Sequence, residues 1–158
     1  MIVVSVGTNE ARFDRLLEWV SNAGFEEELV VQHALSAVRP AGAMCVAYVP
    51  YEELVELIRR SRVFVTHAGV GSILVSLGTG RRPVVVPRLE RFGEAVDDHQ
   101  LPLARRLAAQ DLVTLVETPE QLASAVARGD HLLHAGGGAS ALAHDLRRYL
   151  LDRVRPTR

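Results

Sequence analysis

Residues 63–77, V-F-V-T-H-A-G-V-G-S-I-L-V-S-L, constrain this chain more than any other stretch. An apolar run from Val63 to Val65 stops at Thr66-His67. Two glycines and a serine follow, and an apolar stretch then continues at helical spacing. The pattern predicts a buried strand, a tight turn and a helix over residues 72–77 with its first backbone N–H groups uncovered. Such donors, together with the helix dipole, favour an anion. Glycine at 69 and 71 allows positive φ and lets a phosphate approach the backbone closely. Ser72 adds a hydroxyl donor and His67 a ring N–H. A glycine-rich turn also serves geometry alone, so G-x-G-S by itself does not separate the two uses. His67 favours a ligand, because a polar imidazole at the carboxyl end of a buried strand lies where open α/β sheets bind theirs.

The rest of the chain alternates strand and helix. Residues 2–6 form a continuous apolar run ending in Gly7-Thr8, as a central parallel strand would. A helix follows with Phe13, Leu16, Leu17 and Val20 on one face, closed by Gly24. Further strands are expected at 29–31, 44–49, 63–65, 84–86 and 112–116. Helices are expected at 51–60 (Leu54, Leu57 and Ile58 inward), through 104–109, at 119–127 and at 139–154. This rhythm predicts an α/β fold, a Rossmann-like parallel sheet with helices on both faces. With 158 residues, no repeat and no long linker, one domain over residues 1–158 is expected. Gly136 to Gly138 reads as a flexible loop before the last helix.

A formal charge of −1 and a hydrophobic fraction of 48% describe an ordinary soluble protein, with no nucleic-acid partner expected. Every basic residue is Arg, which we read as a codon bias. The lone Cys45 excludes an internal disulfide, and its apolar neighbours predict a buried, inert thiol. No apolar stretch approaches the roughly 20 residues that span a bilayer, and no basic-then-apolar leader opens the sequence. A cytoplasmic location is therefore expected.

Two other stretches bring polar groups to the same sheet edge. Gly7-Thr8-Asn9 is a second candidate turn for an anion or hydroxyl, or simply a tight turn. Residues 87–100, P-R-L-E-R-F-G-E-A-V-D-D-H-Q, are long for a strand–helix loop. They gather Arg88, Glu94, Asp97, Asp98, His99 and Gln100. Asp98, His99 and Gln100 suit sugar hydroxyls. A metal site competes with that reading, although no second His or Cys stands at a ligand spacing. A solvated charged loop is the third alternative.

The turn T-H-A-G-V-G-S, the strand at 83–87 and the downstream D-D-H-Q-L-P-L-A resemble the carboxyl-terminal domain of family-28 glycosyltransferases. The opening I-V-V-S-V-G-T-N with Phe13-Asp14-Arg15 is similar to the small one-domain members, soluble subunits of two-component transferases. These include a eukaryotic subunit that helps add the second N-acetylglucosamine to dolichol-linked sugar, and bacterial subunits of capsule and exopolysaccharide assembly. The string V-P-R-x-x-x-x-G-E-x-V-D-D-H-Q is closest to the exopolysaccharide branch. The resemblance runs from Met1 to about Leu122.

The resemblance implies the single donor-binding half of a GT-B fold, transferring a hexose-type sugar from a UDP-sugar to a lipid-linked saccharide acceptor. A membrane-anchored partner subunit would supply acceptor binding and recruit the chain to the inner face of the membrane. No cofactor and no metal are implied. His67, Gly69, Gly71 and Ser72 would hold the diphosphate, with Gly7 and Thr8 across the cleft. Gln100, Asp98 and His99 would meet the donor sugar. Arg88 and Glu94 belong to the family string and join the substrate-binding set without a defined contact. His67 and His99 are the candidate bases, unless the partner donates one. Two positions depart from the family. Val75 stands where many relatives carry a ribose-binding Glu, so that role passes to Ser76 or a backbone carbonyl. Gln32-His33 replaces Gln followed by a small residue, leaving His33 as a strand-end residue.

Two rival functions remain open: a non-catalytic stabilising subunit, and a stand-alone nucleotide-binding enzyme such as an epimerase or phosphatase. The tail at 139–158 reads as an amphipathic helix with Leu142, Leu146, Tyr149 and Leu150 in a stripe. Its basic end, with Arg147, Arg148, Arg153, Arg155 and Arg158, is expected either to be solvated or to face the partner and the membrane.

Overall fold

In a computed structural model, which describes residues 1–128, 131 and 132, strand and helix alternate along the chain. The strands are β1 (Ile2–Ser5), β2 (Leu29–Gln32), β3 (Met44–Val46), β4 (Val63–His67), β5 (Val84–Val86) and β6 (Thr114–Leu115). The helices are α1 (Asp14–Ala23), α2 (Tyr51–Arg60), α3 (Val70–Gly78), α4 (Gln100–Ala109) and α5 (Pro119–Ala127), with a 3-10 turn at Glu90–Phe92. All strand pairs are parallel, in the order β3-β2-β1-β4-β5-β6. This is the doubly wound order of the Rossmann fold, in which the direction of winding reverses between β1 and β4.

Alternation along the strands feeds two apolar layers. Ile2, Val4, Val65 and Val86 turn to one face, where Leu16, Leu17 and Val20 of α1 and Leu122 and Val126 of α5 cover them. Val3 and Phe64 turn to the other, against Val55 and Ile58 of α2 and Val75 of α3. Val85 packs there with Ile73 and Leu77 of α3 and Ala104 of α4. Helices therefore cover both faces, as the continuous apolar runs predict. Gly24, at φ 60° and ψ 44°, closes α1 in the left-handed region.

Several boundaries differ from expectation. Helix α3 begins at Val70, two residues early, because the Gly69 carbonyl already accepts the Ile73 N–H (3.2 Å) as the first helical bond. The strand expected at 44–49 is three residues long, but its ladder continues through His33 N–H to the Val46 carbonyl (2.9 Å) and Ala34 N–H to the Ala47 carbonyl (2.9 Å). Cys45 is a free thiol and half-buried on this edge strand, not fully buried. Among the described residues, no helix is long and apolar enough to cross a membrane. The predicted helix at 139–154 and the basic tail lie outside the described residues.

Candidate functional site

The carboxyl ends of β1 and β4 lie side by side at the reversal point of the sheet and deliver Gly7 and His67 to one place. A cleft of about 580 Å³ opens there. Ser5, Gly7, Thr8 and Asn9 line it after β1, and His67, Gly71, Ser72 and Val75 after β4. Gln32, Val49, Tyr51 and Leu54 complete it. The expected Gly7-Thr8 and His67-to-Ser72 turns thus share one cleft. The sequence reading missed the wall of Val49, Tyr51 and Leu54. One available signal was Pro50, which ends the β3 segment on the same edge of the sheet just before α2.

Helix α3 opens into this cleft without a side-chain cap; Gly69 is the capping residue, at φ −74° and ψ 132°. Its first N–H groups therefore lack the side-chain acceptor that usually covers them. Neither Gly69 nor Gly71 uses the positive φ open to glycine. The glycine requirement at Gly69 has a different cause. A Cβ there would sit 2.0 Å from His67 Cε1. Gly7 does take positive φ (79°), and a Cβ on it would lie 2.3 Å from His67 Nε2. Both glycines make room for one imidazole. At Gly71 a Cβ would meet nothing within 4 Å, so that side of the turn faces open cleft.

His67 Nδ1 accepts the Gly69 N–H (3.0 Å), which leaves the ring proton on Nε2, 3.3 Å from Ser72 Oγ. Burial, and secondarily the Arg88 charge, push the His67 pKa down to about 4. A neutral ring that donates through Nε2 can hold an anion at pH 7 but is a poor proton acceptor there. This depressed value also links stability to pH. The folded pKa lies below the ordinary 6.5, so the unfolded chain binds the proton first as pH falls. The contribution is complete above pH 6.5 and is lost on descending to about 4, up to about 3 kcal/mol in all. Urea titrations at pH 7 and 4.5 should show a smaller decline for His67→Gln than for the native chain. Equal declines would refute a half-buried neutral imidazole.

Gln32 braces the β1 turn. It accepts from the Ser5 hydroxyl, and its amide donates to the Gly7 carbonyl (3.3 Å). His33 is a buried strand-end residue with Nδ1 2.8 Å from the Ala34 carbonyl. Thr8 and Asn9 stand exposed at the rim.

The 87–100 string behaves differently from the expectation of sugar contacts. Gln100 is buried, and its carboxamide oxygen accepts both the Ala68 N–H (3.2 Å) and the Arg88 N–H (3.1 Å). It cross-links the ends of β4 and β5. Arg88 is fully buried and donates to the carbonyls of Val6 (2.8 Å), Ala11 (2.8 Å), Arg12 (3.3 Å) and Glu94 (3.0 Å). Glu94 is paired with Arg15 at 2.8 Å and takes the Leu89 N–H at 3.0 Å. Both residues are tied to protein groups and turned inward, where they hold the loops. Asp98 accepts the Glu90 N–H (2.8 Å), and His99 pairs with Asp97 on the exposed side of the loop. Neither Asp98 nor His99 lines the cleft. Among the described residues, no group of three or more His, Cys, Asp or Glu converges as metal ligands would.

Residues 1–132 match the glycosyltransferase family 28 C-terminal domain. The chain belongs to this family. The match extends about ten residues beyond the stretch on which the resemblance was seen. No curated protein matches the sequence. Solved structures share the fold of this family-28 chain at low identity. The calicheamicin glycosyltransferase CalG4 superposes with a TM-score of 0.61 at 17% identity, over 95% of this chain and 38% of that one. MurG of Acinetobacter baumannii gives 0.56 at 18%, over 98% and 49%. UGT89C1 of Arabidopsis thaliana, complexed with UDP-L-rhamnose, gives 0.57 at 13%, over 98% and 39%. The family-28 chain thus spans less than half the length of these glycosyltransferase-fold structures, and its six-stranded parallel sheet is the carboxyl-terminal half of the GT-B architecture.

Proposed function

We propose that this family-28 chain is the donor-binding catalytic subunit of a two-component glycosyltransferase. It would move a hexose-type sugar from a UDP-sugar to a lipid-linked saccharide in exopolysaccharide or capsule synthesis. A membrane-anchored partner would present the acceptor and recruit the chain to the inner face of the membrane. The observation that carries the donor reading is the uncapped start of α3, which faces a neutral His67 in a cleft lined by no carboxylate. By contrast, the groove over α1 sets Glu10, Asp14, Glu18 and Glu94 against Arg12 and Arg15, which are already paired with Asp14 and Glu94, so its unpaired charges are acidic and disfavour a diphosphate.

The chemistry follows from where charge appears. An acceptor hydroxyl attacks the anomeric carbon, the carbon–oxygen bond to the diphosphate breaks, and UDP departs with the electron pair. Fixed N–H donors at the helix start, the Ser72 hydroxyl and the His67 Nε2–H bear on that developing charge, lowering the barrier more than they stabilise the bound donor. The hydroxyl proton needs a base. With its pKa near 4, His67 serves as anion donor, and the base comes from the acceptor side.

Gly71→Val tests the assignment. Its Cβ would meet no protein atom within 4 Å and enters open cleft, so melting should stay close to native. UDP binding by calorimetry should weaken by about 30-fold or more, equivalent to about 2 kcal/mol. Unchanged affinity would remove the diphosphate from this turn. Native UDP binding without transfer, measured with the partner present, would favour a non-catalytic subunit.

A further inference from the structure

The cleft has two chemically different ends. Thr8, Asn9, His67 and Ser72 make one end polar. Val49, Leu54 and Val75 make the other apolar, with the Tyr51 ring, 40% exposed, at its rim. A nucleotide-sugar with its diphosphate on the α3 start must send its glycosyl group one way and its nucleoside the other. Sugar hydroxyls need partners, so the glycosyl group belongs to the polar end. The flat base and the furanose belong to the apolar end.

Val75 follows Gly71 by four residues and Ser72 by three, on the same face of α3. It lies about 6 Å down the helix from the phosphate turn, the position of the furanose in that orientation. Among the described residues, no carboxylate or carboxamide lines that end beside Val75, and the Tyr51 hydroxyl stands at the exposed rim. The Ser76 hydroxyl, the expected alternative, is fully buried and donates to the Arg81 carbonyl (3.0 Å). The carboxamide of Gln32 is held by Ser5 and the Gly7 carbonyl. A 2′-hydroxyl carried onto Val75 and Leu54 loses water and gains no partner, a penalty that apolar pockets impose only modestly.

Resting on the nucleotide-sugar reading of this cleft, we infer that the site does not recognise the ribose 2′-hydroxyl. Donors of the 2′-deoxyribonucleoside diphosphate class bind it at least as tightly as their ribonucleoside counterparts. The pair dUDP and UDP isolates the hydroxyl, since the base and the diphosphate are common to both. Calorimetric titration of the full chain should give dUDP equal to or tighter than UDP, by up to about tenfold. Val75→Glu puts an acceptor on the wall and should move the ratio toward UDP by about tenfold. Its charge weakens both ligands together, so the ratio is the readout. Val75→Gln supplies a neutral acceptor and should shift the ratio the same way. Melting is measured for both variants, since Val75 is 8% exposed and packs with Val3 and Phe64. UDP tighter than dUDP by threefold or more in the native chain overturns the inference and leaves the diphosphate site standing. So does a ratio that neither variant moves. If neither nucleotide binds at millimolar concentration, the nucleotide reading itself fails, and this inference fails with it.

Discussion

Replacing Arg88 by methionine is expected to cost about 3–5 kcal/mol of stability, much of what a domain of this kind holds. The guanidinium is fully buried and stacks 4.7 Å from the centre of the Phe13 ring. Its Nη atoms reach the carbonyls of Val6, Ala11, Arg12 and Glu94, so one side chain stitches the loop after β1 to the loop after β5. Methionine fills much of the volume and makes none of these bonds, leaving buried carbonyls without donors. The carboxylate of Glu94 is not the main loss, because Arg15 already holds it at 2.8 Å. Arg88→Lys should fall between the two, keeping a charge but not the planar fork that spans several acceptors. Urea unfolding at pH 7 measures both variants. A loss below about 1 kcal/mol for the methionine variant would show that the carbonyl cage contributes little.

The strands were legible because parallel strands buried on both faces read as apolar runs, and Ile2 to Val4, Val63 to Val65 and Val84 to Val86 are such runs. The strand–turn–helix at 63–78 was legible because a strand, two glycines and a helix start leave few other geometries. The role of the 87–100 string was not. Arg88 and Glu94 at a strand end look alike in sequence whether they face a ligand or a cage of carbonyls. Only the convergence of Val6, Ala11 and Arg12, some eighty residues away, decides between the two. The inward contacts of the Gln100 carboxamide oxygen were hidden for the same reason, since its partners Ala68 and Arg88 belong to different strand ends. The apolar end of the cleft was hidden differently. Val49, Leu54 and Val75 come from three segments, and each alone reads as ordinary core.

The glycines around His67 should separate two causes of strain that a sequence cannot distinguish. Gly69 has backbone angles any residue adopts, so the cost of Gly69→Ala is steric alone: its Cβ meets His67 Cε1 at 2.0 Å. Overpacking of this kind costs about 1–3 kcal/mol. In a His67→Ala background the ring is gone, and the cost of Gly69→Ala should vanish. Gly7→Ala carries the same kind of clash, 2.3 Å to Nε2, but also a positive φ of 79°. The backbone part, about 1–2 kcal/mol, should survive removal of the ring. A double-mutant cycle by urea unfolding therefore predicts strong coupling of His67 to Gly69, and to Gly7 a coupling that leaves a residue of strain. Donor affinity should fall in both single variants, because a displaced ring turns Nε2–H away from Ser72 and from the start of α3. If Gly69→Ala costs the same with and without His67, the imidazole does not sit between these turns, and its place as the anion donor of the cleft is lost.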